Sequence, residues 1–271
     1  MPSPNEILPA QLLRKIGLPD APALVDVSTD VDFSADPLLI PGAFRHSHAD
    51  IDGLRQSLGD RDAIVICQKG RKLSQGVAAL LRSRGLNAQY LQGGNHGWRA
   101  HRDAPRIPLA AVPEFVDGAT LWVTRHRPKI DRIACPWLIR RFVDAQARFL
   151  FVAPAEVESV ADRFEATAFD IEGVFWSHRE ERCTFDTMLD AFGLRTNALD
   201  RLATVIRGAD TNSHDIAPQA AGLLAFSVGL SRQYRNDNAQ LEAGMAFYDA
   251  LYRWARDGYD EGHDWPAGHG P

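Results

Sequence analysis

A lone thiol, Cys67, stands where the apolar run Ala63-Ile64-Val65-Ile66 gives way to Gln68-Lys69-Gly70-Arg71-Lys72 and then to a helical stretch from Ser74 to Arg84. The β-branched residues ahead of it read as a buried strand, and the basic, Gly-containing segment reads as a turn into a helix N-terminus. Turn amides, the positive end of the helix and the cations at 69, 71 and 72 all stabilise negative charge on sulfur. A lone cysteine is most often an inert core residue. This placement instead favours a thiolate nucleophile.

A second group of chemistry-bearing residues lies further on. Between Arg125 and Arg141 there are six cations (Arg125, Arg127, Lys129, Arg132, Arg140, Arg141) and one acid, Asp131. Pro136 suits a first helical turn, so Arg125, Arg127, Lys129 and Arg132 just ahead of it are candidates for an oxyanion site at a helix N-terminus. A solvated basic face accounts for them equally well. His178, Asp210 and His214, with Asp131 and His126 as outer candidates, are the hard ligand types that a metal site would use. The tight His spacing of a strong metal motif is absent, and caps or surface ion pairs explain these residues at least as well. Cys183, five residues after His178, can join them or cap a small core. Cys135, beside Pro136 and Trp137, reads as a core residue.

The elements that must position these residues fall into two groups. Residues 5–16 read as an amphipathic helix, 23–27 and 63–66 as strands, about 50–58 and 74–84 as helices, and 88–91 as a further strand. Strands alternating with helices predict a parallel sheet, whose chemistry lies at the carboxyl ends of its strands, where Cys67 falls. Residues 106–118, rich in Pro and Gly, read as a linker between a first domain (1–105) and a second (119–257). In the second, 121–124 and 148–152 read as strands, with a third through 169–174. Helices are expected over 136–143 and at roughly 184–192, 198–207, 217–233 and 238–256, with a tail at 258–271. The fold class is therefore α/β: a parallel sheet flanked by helices, followed by a second, mainly helical α+β domain.

Charge and composition narrow the function. The chain has 271 residues, 45% of them hydrophobic, and a net charge of -5. Residues 1–118 carry 13 Lys+Arg against 13 Asp+Glu, and residues 119–271 carry 17 against 22. Neither part has the basic surplus that binding a phosphate backbone needs, which argues against nucleic acid as a partner. The three cysteines form no CxxC pair, and no signal core or membrane-length apolar run is present, so a cytoplasmic, reduced protein is expected.

Four motifs appear in order over about the first 105 residues: Leu24-Val25-Asp26-Val27, Ile40-Pro41-Gly42-Ala43, Val65-Ile66-Cys67-Gln68-Lys69-Gly70-Arg71-Lys72 and Leu91-Gln92-Gly93-Gly94-Asn95-His96-Gly97-Trp98. Together they resemble the rhodanese family. The resemblance implies a sulfurtransferase in which Cys67 takes sulfane sulfur from an anionic donor such as thiosulfate, holds it as a persulfide and passes it to a nucleophile, with no cofactor. It also implies that the amides of the loop Cys67, Gln68, Lys69, Gly70, Arg71 and Lys72 cradle the persulfide. Related phosphatases and arsenate reductases use a seven-residue loop ending on Arg, whereas the seventh residue here is Leu73, which favours sulfur chemistry. Ser28 stands where the family often has Arg, and Lys72 replaces another frequent Arg.

The stretches Trp122-Val123-Thr124-Arg125, Pro128 to Phe142, His178 through Cys183-Thr184-Phe185-Asp186, Arg207 to Thr211, Ala220 to Leu224 and Gly229-Leu230-Ser231 resemble the C-terminal domain of the chromate-resistance protein B family. That resemblance implies a part in chromate response, with chromate or another oxyanion as a possible ligand. The expectation is thus a sulfurtransferase whose second domain recognises an oxyanion, a metal ion or a partner protein. The rival is a chromate-responsive sensor or regulator with a mainly binding first domain.

Overall fold

The computed structural model describes residues 4–262, so most of the expected tail lies outside the described residues. Five short strands form an all-parallel sheet in the order Glu6–Ile7, Ala88–Leu91, Ala63–Ile66, Ala23–Asp26, Ala43–Arg45. Both neighbours of the central strand Ala63–Ile66 are parallel to it, and all four of its residues are buried, as its unbroken apolar run requires. The helix Lys72–Ser83 that follows packs Val77, Ala78 and Leu81 into the core, a spacing of three to four residues that keeps them on one face.

The N-terminus departs from the expected helix over 5–16. Glu6 and Ile7 instead pair with Tyr90 and Leu91, and the helix is confined to Pro9–Leu13. Pro9 is the reason, because its ring disfavours helical geometry at Leu8, which is extended (φ -78, ψ 149). The expected linker is also structured: Leu38–Leu39 pairs antiparallel with Ile107–Pro108, and Phe115–Val116 forms a hairpin with Ala119 and Thr120.

The second sheet is built around the central strand Ala119–Arg125, flanked in parallel by Arg148–Val152 and Thr167–Ala168. The third strand is shorter than the expected 169–174, because Asp170 takes a left-handed φ of 53 and only one bridge, Phe169 to Trp176, continues the pairing. The helices Thr184–Ala191, Asn197–Asp210, Ala220–Gln233 and Asp237–Asp257 lie within a few residues of the expected spans, and Val157–Phe164 forms a further, unexpected helix.

A larger correction concerns the helix expected to begin at Pro136. It runs Asp131–Leu138, with Pro136 inside it, and continues as a wide π turn over Ile139–Val143. Proline has no N–H to offer the carbonyl four residues back, so the chain accepts one missing bond there. The helix start, and with it any N-terminal site, therefore belongs to Asp131.

One apolar core joins the two sheets. Trp137 packs against Phe142, Phe185, Tyr248 and Tyr252, while Leu12, Ile16 and Trp98 of the first half belong to the same buried cluster. The two halves meet most closely where Gly42 N–H donates to the Phe142 carbonyl and where Gly17 lies under the Phe142 ring. Gly17 has φ 80, and a Cβ there would come within 2.3 Å of Phe142 Cζ. Gly17→Ala combines left-handed strain with overpacking and should destabilise the chain by roughly 2–4 kcal/mol. Gly59 has a similar φ of 60, but a Cβ added to it would meet no atom within 4 Å. Gly59→Ala carries the backbone strain of φ 60, ψ -132 without the overpacking, roughly 1–3 kcal/mol, so chemical denaturation should find it the milder of the two.

Candidate functional site

Cys67 follows the carboxyl end of the central strand, as expected. The loop closes tightly: Gly70 has φ 64, and a Cβ on it would meet the Leu91 carbonyl oxygen at 2.4 Å, while one on Gly94 would meet the Cys67 carbonyl oxygen at 1.9 Å. Only glycine fits at either point, which brings the loop and the segment 93–97 into backbone contact. Asn95 N–H donates to the Cys67 carbonyl (3.0 Å), His96 N–H to the Gln68 carbonyl (3.0 Å), and the Asn95 amide to buried Asp26 (2.7 Å). Three of the motifs read from the sequence are therefore one mechanical unit.

The Cys67 Sγ lies 3.2 Å from the Ser74 hydroxyl, which in turn contacts the Arg71 carbonyl. Among the described residues the N–H groups of Gln68, Lys69 and Arg71 donate to no backbone carbonyl, and Lys69, Arg71 and Lys72 are exposed without an ion pair. The loop thus presents free donors and free positive charge to an incoming anion. The thiol itself is enclosed, with Cys67 only 5% exposed.

The second half assembles a different centre. His178 Nε2 lies 3.1 Å from an Asp210 oxygen, 3.3 Å from an Asp170 oxygen and 3.6 Å from an Asp131 oxygen. Asp131 is wholly buried at the first turn of its helix, next to Ile130, a β-branched residue held at φ 43. Such a φ is a true outlier for isoleucine and persists only where surrounding contacts enforce it. Here the Ile130 carbonyl accepts from the Tyr248 hydroxyl (3.1 Å). Thr184 holds two of the carboxylates at once, its N–H donating to Asp131 (2.6 Å) and its hydroxyl to Asp170 (2.9 Å).

The electrostatics follow from this crowding. Burial, then the neighbouring Asp210 and Asp170, push the Asp131 carboxyl well above its ordinary range. Burial also opposes ionisation of Asp170, yet hydrogen bonds from His178 and Thr184 and the charges of Arg132 and Arg125 hold it below that range. Hydrogen bonds to Asp170 and Asp210 raise the His178 imidazole to about 10.

The predicted oxyanion cations are not a free cluster. Arg125 and Arg132 each pair with Asp170 at 3.2 Å. Arg127 is used structurally, donating to the carbonyls of Ser231 and Tyr234 at the end of a helix. Burial, then Arg132, Arg127 and Arg232, lower the Lys129 ammonium. Arg140 pairs with Glu242, and Arg141 grips Asp249 with two bonds of 2.8 Å.

Of the predicted metal candidates the structure brings together Asp131, His178 and Asp210. It does not bring in His214, which lies on a separate short turn with Nε2 unpartnered, or His126, whose backbone carbonyl accepts from Arg132. Sequence reasoning missed Asp170 and Thr184. An acid between the apolar residues Phe169 and Ile171 was the available signal for the first, and Glu172 two residues on blurred it.

Cys183 does not join the imidazole; its thiol faces Asp186 at 3.5 Å. Asp186 is fully buried and receives Arg207 at 3.0 Å, Arg195 at 3.2 Å and Arg182 at 3.9 Å, tying the helix Thr184–Ala191 to Asn197–Asp210.

Residues 8–101 match the rhodanese-like domain family, and residues 122–255 match the ChrB C-terminal domain family. Protein ChrB of Cupriavidus metallidurans is 29% identical over 216 residues, an alignment covering 75% of this chain and 65% of that protein. This chain therefore spans about two thirds of the length of that curated relative. Among solved structures, a rhodanese-like domain protein from Staphylococcus aureus is 27% identical, covering 35% of this chain and 90% of that one at a TM-score of 0.31. A rhodanese-related protein from Thermoplasma volcanium is 21% identical, covering 38% and 97%, with a TM-score of 0.33.

The Asp186 network makes a prediction. Removing its charge leaves Arg207 without an acid, while Arg182 and Arg195 keep Asp190 and Asp200, so Asp186→Asn should cost roughly 1–3 kcal/mol in chemical denaturation. Arg182→Ala, which deletes only the most exposed partner, should cost under about 1 kcal/mol.

Proposed function

We propose that this chain, which joins a rhodanese-like domain to a ChrB C-terminal domain, transfers sulfane sulfur through Cys67 in support of a chromate response. The observation that carries the reading is the Cys67 loop. A single thiol at the carboxyl end of a central parallel strand heads a loop with unpaired amides and three cations outside any ion pair, leading into a helix N-terminus. Such surroundings stabilise a thiolate and attract a small anionic donor.

With thiosulfate, the Cys67 thiolate attacks the outer sulfur. A new S–S bond forms, the S–S bond of thiosulfate breaks, and sulfite leaves with the bonding pair. A nucleophilic acceptor then takes the outer sulfur from the Cys67 persulfide and restores the thiolate. The terminal sulfur of the persulfide is anionic, so the loop amides that receive the donor also hold the intermediate. Ser74, within hydrogen-bond reach of Sγ, orients it.

A second reading is a chromate-responsive sensor or regulator whose first domain binds more than it turns over. The enclosure of Cys67, at 5% exposure, favours it, since a donor must enter the loop to reach sulfur. Among the described residues no helix is long and apolar enough to cross a membrane.

Mass spectrometry after thiosulfate treatment should find one added sulfur atom on the peptide containing Cys67, and Cys67→Ser should lose both that adduct and sulfurtransfer turnover. A folded wild-type protein that stays unmodified would favour the sensor.

Lys69 and Arg71 are exposed and touch the donor as diffuse charge rather than the breaking bond. Lys69→Ala or Arg71→Ala should therefore raise KM for thiosulfate more than it lowers kcat, because such a charge binds ground and transition states nearly alike. A fall in kcat at constant KM would move these cations into the chemical step.

A further inference from the structure

We propose that Asp131, Asp170, His178 and Asp210 form a binding site for one divalent first-row transition-metal ion, ligated through carboxylate oxygens and His178 Nε2. The inference is independent of sulfur transfer at Cys67. It begins from a mismatch in hydrogen bonding. His178 Nε2 has three carboxylate oxygens around it at 3.1, 3.3 and 3.6 Å, yet one ring nitrogen carries at most one proton. A hydrogen bond can serve one of these oxygens well, whereas a cation among the four atoms serves all of them.

The second observation is independent of the cluster's composition. Asp131 is wholly buried, and its Oδ1 has no hydrogen-bond partner, although Oδ2 on the same carbon faces His178 and accepts from Thr184. A buried carboxylate oxygen without a donor is expensive, and native structures avoid it unless something outside the protein supplies the missing contact. Ligand atoms of Asp131, Asp170 and His178 lie within 4.8 Å of one another; Asp210 lies outside that mutual set and approaches it through the same imidazole nitrogen, so it would close on the ion from that side.

The separations fit an ion. A metal about 2.0–2.1 Å from its ligands in tetrahedral or octahedral geometry holds adjacent ligand atoms roughly 2.9–3.4 Å apart. The separations from His178 Nε2 to the three oxygens, 3.1, 3.3 and 3.6 Å, fall within or just above that range. The donor set selects the metal class. Three carboxylates with one imidazole suit manganese, iron(II) or zinc better than calcium or magnesium, which prefer all-oxygen sites, and better than soft metals, which prefer sulfur.

The surrounding groups behave as a supporting shell. Thr184 fixes Asp131 and Asp170 together, and Arg125 and Arg132 orient Asp170. His178 is 40% exposed at its side chain, so the site opens to solvent on one side and can leave a coordination position for water or an anion.

The test uses the full chain without a tag, cleared with a chelator and then dialysed separately against manganese, iron(II) under anaerobic conditions, and zinc. Elemental analysis should find about one ion per chain for at least one of the three metals. His178→Ala and Asp210→Asn alter partly exposed side chains and should fold, as circular dichroism will check. Each should weaken binding by roughly 100-fold or more, and Thr184→Val by roughly 10–100-fold through loss of orientation. Cobalt(II) soaked into the wild type should give visible bands that His178→Ala abolishes. The proposal is overturned if wild type takes up none of the three metals or if folded His178→Ala binds as wild type does. A sulfur-to-cobalt charge-transfer band, which would put Cys183 or Cys135 in the shell, would overturn the ligand set.

Discussion

The second half of this protein depends on the burial of one carboxylate. Asp131 carries its charge-bearing group into a fully enclosed position, and the bond that makes this tolerable is the 2.6 Å hydrogen bond from Thr184 N–H. Thr184 opens the helix Thr184–Ala191, so the acceptor for an otherwise free first-turn amide is an acid from a different helix. The same threonine hydroxyl reaches Asp170. One residue therefore sets the distance between two helices and the strand end that carries Asp170. The strained Ile130 beside Asp131 is pinned by Tyr248, and Trp137, one turn and a half further along, anchors that helix in the aromatic core through Asp249.

Both candidate centres obey one architectural rule. In parallel sheets the strand carboxyl ends open onto loops and helix N-termini, which leaves amide groups and space on the same side. Cys67 follows the central strand of the first sheet. Arg125 ends the central strand of the second, Asp131 begins the helix after it, and Asp170 follows its short neighbour. One apolar cluster joins the two halves and reaches the strand before Cys67 through Ile64 and Ile66, while Cys67 and the helix Lys72–Ser83 pack in a second cluster on the first sheet. The junction leaves little tolerance where Gly17 meets Phe142.

The first centre was almost fully legible in the sequence because its determinants are local. A strand, a thiol, a glycine-containing basic turn and a helix follow one another within about twenty residues, and each imposes its conformation through short-range sterics. The parallel sheet was legible for the same reason. What failed did so where distant groups decide. Glu6 and Ile7 look helical by periodicity but are taken up by the free edge of Ala88–Leu91, and Pro136 reads as a helix start although buried Asp131 begins the turn five residues earlier. The cations at 125, 127 and 132 read as a candidate anion site or a solvated face because their partners, Asp170 and the carbonyls of Ser231 and Tyr234, come from 38 to 107 positions away. His178 and Asp210 were recognisable as ligand types, but Asp170 completes their cluster through a positive φ that no local pattern announces.

The chain also separates two kinds of electrostatic site, and its three cysteines mark the difference. Cys135 and Cys183 are buried near Asp131, and burial together with that negative charge pushes both thiols well above their ordinary range. Both sulfurs are enclosed and pack as small apolar residues of the core. Cys67 lies instead at the head of a loop that carries Lys69, Arg71 and Lys72, with the amides of Gln68, Lys69 and Arg71 donating to no backbone carbonyl. One half of the molecule therefore sets three basic side chains in the loop after a sulfur, and the other gathers carboxylates around an imidazole.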